Sequence, residues 1–386
     1  MTTSGTGVRV RRVSAEQCVE QLLELLGDTR ALVVGTPAAL RRTRAADVLP
    51  AGTAVFHAFT PNPTTDQALA AARARSAHGA ELVVGIGGGS AMDVAKAARV
   101  LPADPVEATE VLARRRRPPE PSPGLVLVPT TAGSGSEVTS FATLYDGHRK
   151  VSLDDDRVRA EDVLIATELL ATCPPDVLWS GTLDTVAHAI ESMWSMRSDP
   201  TSRERAGDAL ARIAPVLARP ELAGVESGRE ALSHAGSMAG EAIDRTRTTA
   251  AHALAYPLTA YLGLAHGYAV AATLRWLVPL VTAVGDSAVR DPRGPDVPRG
   301  AVHAAAAALG VDGPAGIVST IDAALARCRP PRFTAARLDA VLDRLVTEGL
   351  SSERLAGMPV HLDADQVRSA LRQSLGELVQ IGGTGA

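Results

Sequence analysis

The chain has 386 residues, of which 46% are hydrophobic, 21% are charged and 3% are aromatic. This composition is typical of a globular protein, and the length fits two domains of ordinary size better than one core. The net charge of −4 argues against a broad basic surface, so we expect no nucleic-acid partner.

The cysteine content and the apolar segments indicate a reducing, non-membrane setting. The cysteines are odd in number and far apart, which argues against a disulfide framework or a thiolate zinc site. Basic residues near the N-terminus are not followed by the apolar segment of a secretory signal. The most apolar later stretch, residues 268–284, is interrupted by Arg275 and Pro279, which predicts a buried helix rather than a membrane span. We therefore expect a cytoplasmic protein with no membrane partner.

The first half of the chain alternates strand-like and helix-like segments. Predicted strands cover residues 31–35, 53–58, 81–90 (running into a glycine turn) and 125–131, and predicted helices cover 65–78 and 91–101. Strands that are apolar throughout and separated by helices indicate a parallel sheet covered on both faces.

The character of the chain changes after about residue 174, where strand signals almost disappear and helical periodicity runs to the end. The sequence Cys173-Pro174-Pro175-Asp176 is a natural boundary, with Asp176 a candidate cap for the next helix. The polar, Pro/Gly-rich residues 285–300 predict a surface loop. We predict an α/β domain over residues 1–174 and an all-helical domain over residues 175–386.

Three glycines and a serine, Gly87, Gly88, Gly89 and Ser90, follow a predicted strand and open a helix. Glycines let the backbone approach a pyrophosphate closely, and the helix N-terminus supplies amide donors and the positive end of a dipole. The common GxGxxG fingerprint does not apply here. The alternative is a tight strand-to-helix turn without a ligand, although three glycines cost backbone entropy.

A second small-residue turn, residues 130–137, follows the next predicted strand and includes Thr130, Thr131 and Ser134. Two such turns at the ends of neighbouring parallel strands can form one crevice, where sheets of this kind bind ligands. The alternative is an ordinary polar loop.

Four side chains in the second half have the chemistry of a metal site. Asp184 and His188 are four residues apart in a helical segment, so both point to one face, although such a pair is more often a surface or capping interaction. His252 and His266 lie in apolar surroundings, where a lone histidine is more often a satisfied core residue. Together they supply one carboxylate and three imidazoles, a ligand set that leaves an open position for substrate.

The segments GGGSAMDVAK, PTTAGSGSEVT, LDTVAHAIES and HALAYPL…GLAHG, in this order, resemble the iron-dependent (group III) alcohol dehydrogenase family over roughly residues 15–285. The fourteen-residue spacing from His252 to His266 matches the family's pattern. The resemblance implies a dehydroquinate synthase-like fold, with an N-terminal dinucleotide-binding α/β domain, a helical C-terminal domain and an active site in the cleft between them. Many members are dimers, so we expect a homodimer.

The resemblance also implies the roles of individual residues. Asp184, His188, His252 and His266 would hold a divalent metal, usually Fe(II) and sometimes Zn(II). The expected cofactor contacts are Gly87, Gly88, Gly89, Ser90 and Asp93 at the pyrophosphate and ribose, Thr130, Thr131 and Ser134 on the nicotinamide side, and Thr36 and Asn62. His266 and Tyr256 are the expected catalytic residues.

Two departures from the family pattern bear on specificity. Tyr256 stands where many members have a second histidine near the substrate, which predicts a changed substrate pocket with Tyr256 as a candidate proton relay. The first strand ends in Val34-Gly35-Thr36 rather than in an acidic residue, and arginines follow closely. Without a carboxylate the 2′-phosphate of NADP is not repelled, so between NADPH and NADH we favour NADPH.

The segment IDRTRTTAAHALAYPLT is most similar to the phosphonoacetaldehyde reductase branch of that family. In that branch Arg247 would bind a phosphonate as a bidentate fork, and we interpret the neighbouring Arg245 as a solvated helix residue. The alternative is that Arg247 is also a solvated helix residue. The resemblance implies reduction of phosphonoacetaldehyde to 2-hydroxyethylphosphonate in phosphonate natural-product biosynthesis.

Three alternatives remain open at this point. The first is a general short-chain alcohol or diol dehydrogenase. The second is a dehydroquinate synthase-like lyase, which would show no net consumption of cofactor. The third is a non-catalytic scaffold, which would predict damaged ligands, whereas all four are present.

Overall fold

The computed structural model describes residues 2–3, 7–120 and 122–379, so the extreme ends of both predicted domains lie outside the described residues. The chain divides into two compact units. The first is Met1–Cys173 with Leu222–Ser233, and the second is Pro174–Glu221 with His234–Ala386. A single cut after residue 174 therefore does not reproduce the units, because residues 222–233 group with the first.

The first unit contains the strands. They are β1 Thr2–Thr3, β2 Arg9–Arg12, β3 Ala31–Val34, β4 Ala54–Phe56, β5 Leu82–Gly87, β6 Gly124–Pro129, β7 Phe141–Asp146, β8 Arg149–Asp154 and β9 Asp162–Ile165. Within the described residues, seven of them form one sheet in the order β1-β2-β9-β6-β5-β3-β4. All neighbouring pairs in it are parallel except β1 with β2. The predicted parallel sheet is therefore confirmed.

Helices cover the sheet and explain why its central strands β3, β5 and β6 are buried and mostly apolar. They are α1 Ala15–Leu26, α2 Pro37–Arg42, α3 Ala45–Val48, α4 Thr65–His78, α5 Gly89–Val100 and α6 Pro105–Leu112. On β3, Leu32 and Val34 belong to one hydrophobic core cluster, whereas Ala31 and Val33 belong to another. Successive side chains of a strand point to opposite faces, so this alternation shows that both faces of the sheet are buried.

A second, two-stranded sheet was not predicted from the sequence. Strands β7 and β8 pair antiparallel as a hairpin. Ala142, Leu144, Val151 and Leu153 on this hairpin are buried in a third core cluster, which also includes residues of α4 and α5. The hairpin therefore packs on the helix that follows the glycine turn.

The second unit is helical. Its helices are α7 Pro175–Trp194, α8 Pro200–Ala218, α9 Glu226–Thr246 (from His234 onward), α10 Ala250–Leu262, α11 His266–Ala283, α12 Asp296–Leu309, α13 Gly313–Leu325, α14 Ala335–Leu350 and α15 Ala364–Gly376. Short 3-10 helices connect some of them, including Glu353–Gly357. The surface loop predicted over residues 285–300 is too long, because α12 begins at Asp296.

The apolar stretch from residue 268 falls within α11, as a buried helix. In the described part of the chain, no single helix is both long and apolar enough to cross a membrane. Helices α12 and α13 together are long and apolar enough, by length and composition only, although the pair is bent by 55°.

Candidate metal centre and dinucleotide site

The glycine turn lies at the carboxyl end of β5 in the first unit. Gly87 has φ +154°, and a Cβ there would lie 2.7 Å from the Cβ of Ala91. Helix α5 then begins with Gly88 as its N-cap, and no side chain caps it. Its first amides therefore remain available to an anion, the arrangement found at phosphate-binding helix N-termini.

The second turn lies directly beside the first. Gly87 is paired with Pro129 across β5 and β6, and the Thr130 amide donates to the Gly87 carbonyl at 2.9 Å. A Cβ on Gly88 would lie 3.0 Å from Oγ1 of Thr131. The two turns thus form one glycine-lined cradle that side chains would fill, so these residues fit a dinucleotide pyrophosphate.

Asn62 also contacts this cradle, whereas the Asp93 side chain is hydrogen-bonded to nearby protein groups. The Asn62 amide donates to Oγ of Ser90 at 3.3 Å. Asp93 accepts from the Ser136 hydroxyl at 2.7 Å and from the Thr143 amide at 3.1 Å. Its carboxylate therefore anchors the segment after the second turn, and its expected contact with the cofactor stays a prediction.

Thr36 follows β3 and caps helix α2, since its hydroxyl accepts from the Ala39 amide at 3.2 Å. No acidic residue stands between β3 and α2. The adenosine end of a dinucleotide at this strand end would therefore meet a neutral hydroxyl rather than a carboxylate.

In the second unit, helix α7 carries a line of polar groups along a buried face. Asp184, His188 and Glu191 lie four and three residues apart, so they share one side of the helix. All three are buried. Polar side chains in such a setting need partners, and the partners here come from α10 and α11.

The histidines converge on one carboxylate oxygen. Oδ1 of Asp184 lies 3.5 Å from Nε2 of His188, 3.3 Å from Nε2 of His252 and 3.8 Å from Nε2 of His266. Ligand atoms of Asp184, His252 and His266 lie within 4.8 Å of one another, and the His188 ring stacks on His252 with centroids 4.7 Å apart. One carboxylate and three imidazole nitrogens are a donor set that suits Fe(II) or Zn(II), so these residues fit a divalent metal.

The electrostatics of the cluster favour a metal-binding carboxylate. Burial opposes the ionisation of Asp184, but His188, His266 and His252 together hold its pKa well below the usual range. Asp184 is therefore anionic, as a ligand must be.

Glu191 lies behind His252 and was not among the residues that we predicted from the sequence. Its Oε2 is hydrogen-bonded to Nδ1 of His252. Its Oε1 accepts from the Thr249 amide and hydroxyl and from the Ala251 amide. Burial opposes its ionisation, but His252 and the bonds from Thr249 and Ala251 lower its pKa, so Glu191 is also anionic.

The position of His266 depends on a close approach of two helices. His266 is the first residue of α11, and the next residue, Gly267, packs against the backbone of α7. A Cβ on Gly267 would lie 1.8 Å from the carbonyl oxygen of Ser180, and the Gly267 amide donates to the Ser180 hydroxyl at 3.2 Å. Glycine is therefore required at position 267, because the start of α11 packs against Ser180, which lies about one helical turn before Asp184 on α7.

Tyr256 lies against the cluster. Its ring stacks on His266 with centroids 5.6 Å apart and planes 8° apart. Burial raises the pKa of Tyr256 to about 12, and neither the buried guanidinium of Arg354 nor the bond to Thr248 offsets this effect. This value lies above the ordinary tyrosine pKa of about 10, which argues against the predicted proton relay acting as a base. Arg354 was not predicted as a site residue.

The two arginines before His252 have different surroundings, and the predicted role of Arg247 in substrate binding stays a prediction. Arg245 is half exposed and donates to Asp199 at 2.9 and 2.6 Å. Arg247 ends α9 with φ +60°, and its guanidinium donates to the Asp244 carbonyl. The following residues, Thr248 and Thr249, bond to Tyr256 and Glu191, so Arg247 lies in a segment anchored to the cluster.

Comparison with known families identifies the class of protein. The model described as iron-containing alcohol dehydrogenase matches residues 10–167, and the model for the C-terminal part of the Fe-containing alcohol dehydrogenase family matches residues 179–314. The chain therefore belongs to the iron-containing alcohol dehydrogenase family. The predicted fold class and enzyme class are confirmed.

Among its relatives, the phosphonoacetaldehyde reductase of Streptomyces viridochromogenes is 38% identical, over 82% of this chain and 80% of that protein. The sulfoacetaldehyde reductase of Bilophila wadsworthia is 29% identical over about half of each chain (50% and 51%). The similarity to the phosphonoacetaldehyde reductase branch is thus confirmed, and relatives with other substrates are also present.

Solved structures share the fold. The sulfoacetaldehyde reductase from Bifidobacterium kashiwanohense, in complex with NAD+, has a TM-score of 0.80 and 24% identity, covering 99% of this chain and 100% of that one. The iron-containing alcohol dehydrogenase from Thermotoga maritima has a TM-score of 0.77 and 24% identity, covering 96% and 98%.

Proposed function

We propose that the protein reduces phosphonoacetaldehyde to 2-hydroxyethylphosphonate with NADPH, in the biosynthesis of a phosphonate natural product. The reaction consumes one aldehyde, one NADPH and one proton, and it yields the alcohol and NADP+. The observation that carries the reductase assignment is the convergence of three imidazoles on Oδ1 of Asp184. The similarity to a phosphonoacetaldehyde reductase supports the choice of substrate.

In this proposal Asp184, His188, His252 and His266 hold a divalent metal. A bound Fe(II) or Zn(II) supplies Lewis-acid polarisation of a carbonyl oxygen. Tyr256 keeps its proton on the hydroxyl at neutral pH because its pKa is raised to about 12. We therefore propose that Tyr256 is a neutral polar residue lining the site beside His266, and that it does not act as a base.

The glycine cradle serves the cofactor in this proposal. The uncapped N-terminus of α5 at Gly88 and Gly89 binds the pyrophosphate, with Ser90 and Asn62 beside it. Thr130, Thr131 and Ser134 lie along the adjacent turn and orient the nicotinamide end. Asp93 keeps that turn in place through Ser136.

We expect Thr36→Asp to change the cofactor preference from NADPH toward NADH. A carboxylate at this strand end would repel a 2′-phosphate and accept from a ribose 2′-hydroxyl. Aspartate caps helices as well as threonine does, so α2 should be retained. The kcat/KM for NADPH should fall roughly tenfold relative to NADH. Thr36→Asn, which caps equally well without charge, is the matched control, and an unchanged preference in Thr36→Asp would exclude Thr36 from the adenosine site.

Arg247 is proposed to bind the phosphonate. A non-glycine residue with φ +60° is uncommon, and glycine would adopt this conformation at lower cost. An arginine at a position that favours glycine supports a role for its side chain. A guanidinium carries several N–H donors in a planar fork, so a bond to Asp244 is compatible with binding an anion.

Arg247→Gly should separate substrate specificity from folding. Glycine fits the left-handed conformation, but the buried Asp244 carboxylate loses its ion pair with Arg247 (3.7 Å), so we expect a folded protein with a modestly lowered Tm. Loss of a charge-assisted contact should lower kcat/KM for phosphonoacetaldehyde roughly 10- to 100-fold, with little change for propanal. The measurement compares NADPH oxidation with phosphonoacetaldehyde, sulfoacetaldehyde and propanal.

Arg245→Ala is the control for that comparison, because Arg245 lies two residues away and pairs with Asp199 at the surface. Equal losses in both variants, or no loss in Arg247→Gly, would remove Arg247 from the substrate site. Equal turnover of propanal and phosphonoacetaldehyde by the unmodified protein would favour a general alcohol dehydrogenase.

A further inference from the structure

Glu191 lies next to the proposed metal ligands, and both oxygens of its carboxylate are hydrogen-bonded. It is fully buried on α7, and its two oxygens have different partners. Oε2 faces Nδ1 of His252. Oε1 accepts from the Thr249 amide at 3.1 Å, the Thr249 hydroxyl at 2.6 Å and the Ala251 amide at 2.8 Å.

The donors at Oε1 belong to the first turn of α10. The N-cap residue of α10, Thr249, does not cap its own helix with its side chain. Glu191 accepts from the amides there instead, and the Trp194 indole donates to the Thr249 hydroxyl at 2.8 Å. One carboxylate from α7 therefore fixes the start of α10, two residues before His252.

The hydrogen bond to the Glu191 carboxylate requires a proton on Nδ1 of His252, because a carboxylate can only accept. A neutral imidazole that donates from Nδ1 presents a lone pair at Nε2, the atom that lies 3.3 Å from Oδ1 of Asp184. If Nδ1 accepted a hydrogen bond instead, Nε2 would carry the proton and could not bind a metal.

We propose that Glu191 is a positioning residue for the metal centre, holding His252 with its proton on Nδ1 and its Nε2 directed at the metal, while fixing the first turn of α10. This inference rests on the proposed metal site. Ligand-orienting carboxylates of this kind typically change metal affinity by about 10- to 100-fold when removed.

Glu191→Gln tests the proposal because glutamine cannot satisfy both sides. Two amides and a hydroxyl donate toward Oε1, so the glutamine oxygen must stay there. Its NH2 group must then face Nδ1 of His252 and donate to it, which moves the histidine proton to Nε2. The reverse orientation would place NH2 against two amide donors. The cap of α10 is retained in the favoured orientation, so a purely structural role for Glu191 predicts no change in metal affinity.

The experiment measures Zn(II) and Co(II) affinity of the full-length protein by competition with a chromogenic chelator, with circular dichroism to check folding. We expect the Kd of Glu191→Gln to rise at least tenfold, and the Co(II) absorption bands to change. Ser192→Ala is the matched control, because Ser192 is the adjacent buried residue on α7 and bonds to Thr246 rather than to His252. A Kd within twofold of the unmodified protein in Glu191→Gln would overturn the proposal.

A second measurement decides the question if Glu191→Gln does not fold. Nitrogen-15 NMR of the Zn(II)-loaded, unmodified protein should show His252 protonated at Nδ1 and metal-bound at Nε2. Protonation at Nε2 would overturn the inference. Failure of the unmodified protein to bind either metal would instead contradict the proposed function, so the two failures are distinguishable.

Discussion

His266→Ala should abolish aldehyde reduction while leaving a folded protein that still binds NADPH. The imidazole is one of three that face Oδ1 of Asp184, and its removal leaves a proposed metal with two histidines and one carboxylate. Its side chain is 29% exposed, so truncation costs little packing. The proposed pyrophosphate residues belong to the other compact unit. Loss of metal assistance is worth several kcal/mol, so kcat/KM should fall by at least roughly a thousandfold.

The measurements for this variant are bound iron by elemental analysis, NADPH affinity by fluorescence and turnover with phosphonoacetaldehyde. His303→Ala is the control, since His303 is exposed on α12 and lies outside the cluster. A His266→Ala protein that kept both its metal and its activity would remove His266 from the proposed catalytic residues.

Gly267→Ala should destabilise the metal centre without changing any proposed ligand. An added Cβ would lie 1.8 Å from the Ser180 carbonyl oxygen, so α11 must move away from α7. Because His266 is the preceding residue, it must move with the helix. We expect roughly 3 kcal/mol of lost stability from overpacking and a Kd for Zn(II) raised at least tenfold.

Gly207→Ala is the matched control for this substitution. Gly207 lies within α8 and a Cβ there would meet no atom within 4 Å, so alanine should be neutral or stabilising. Thermal unfolding and zinc competition measure both effects. Unchanged zinc affinity in Gly267→Ala would show that the close approach of α7 and α11 does not position His266.

The sequence was sufficient to predict those parts of the fold with strong local patterns. The apolar strands β3, β5 and β6 and the helix α4 are close to their predicted limits. Strand β2 was missed because its sequence, Arg-Val-Arg-Arg, has only one apolar residue. The hairpin of β7 and β8 was missed because it packs on helices outside the parallel pattern.

The residues of the candidate site were likewise only partly predictable from the sequence. The four proposed ligands and the glycine turn are visible as residue types at fixed spacings. Glu191 could have been noticed, because it lies three residues after His188 on the same helical face, but a glutamate in a helix is usually solvated. Arg354 and Gly267 gave no such signal, since their positions beside Tyr256 and Ser180 depend on which helices pack together.

The most direct test of the central claim is the oxidation of NADPH and NADH by the metal-stripped protein before and after anaerobic loading with Fe(II). Phosphonoacetaldehyde would be offered beside acetaldehyde, propanal and lactaldehyde. We predict reduction that requires the metal, prefers NADPH and strongly favours phosphonoacetaldehyde. Reduction at the same rate without metal, or no net oxidation of either cofactor with any aldehyde, would contradict it.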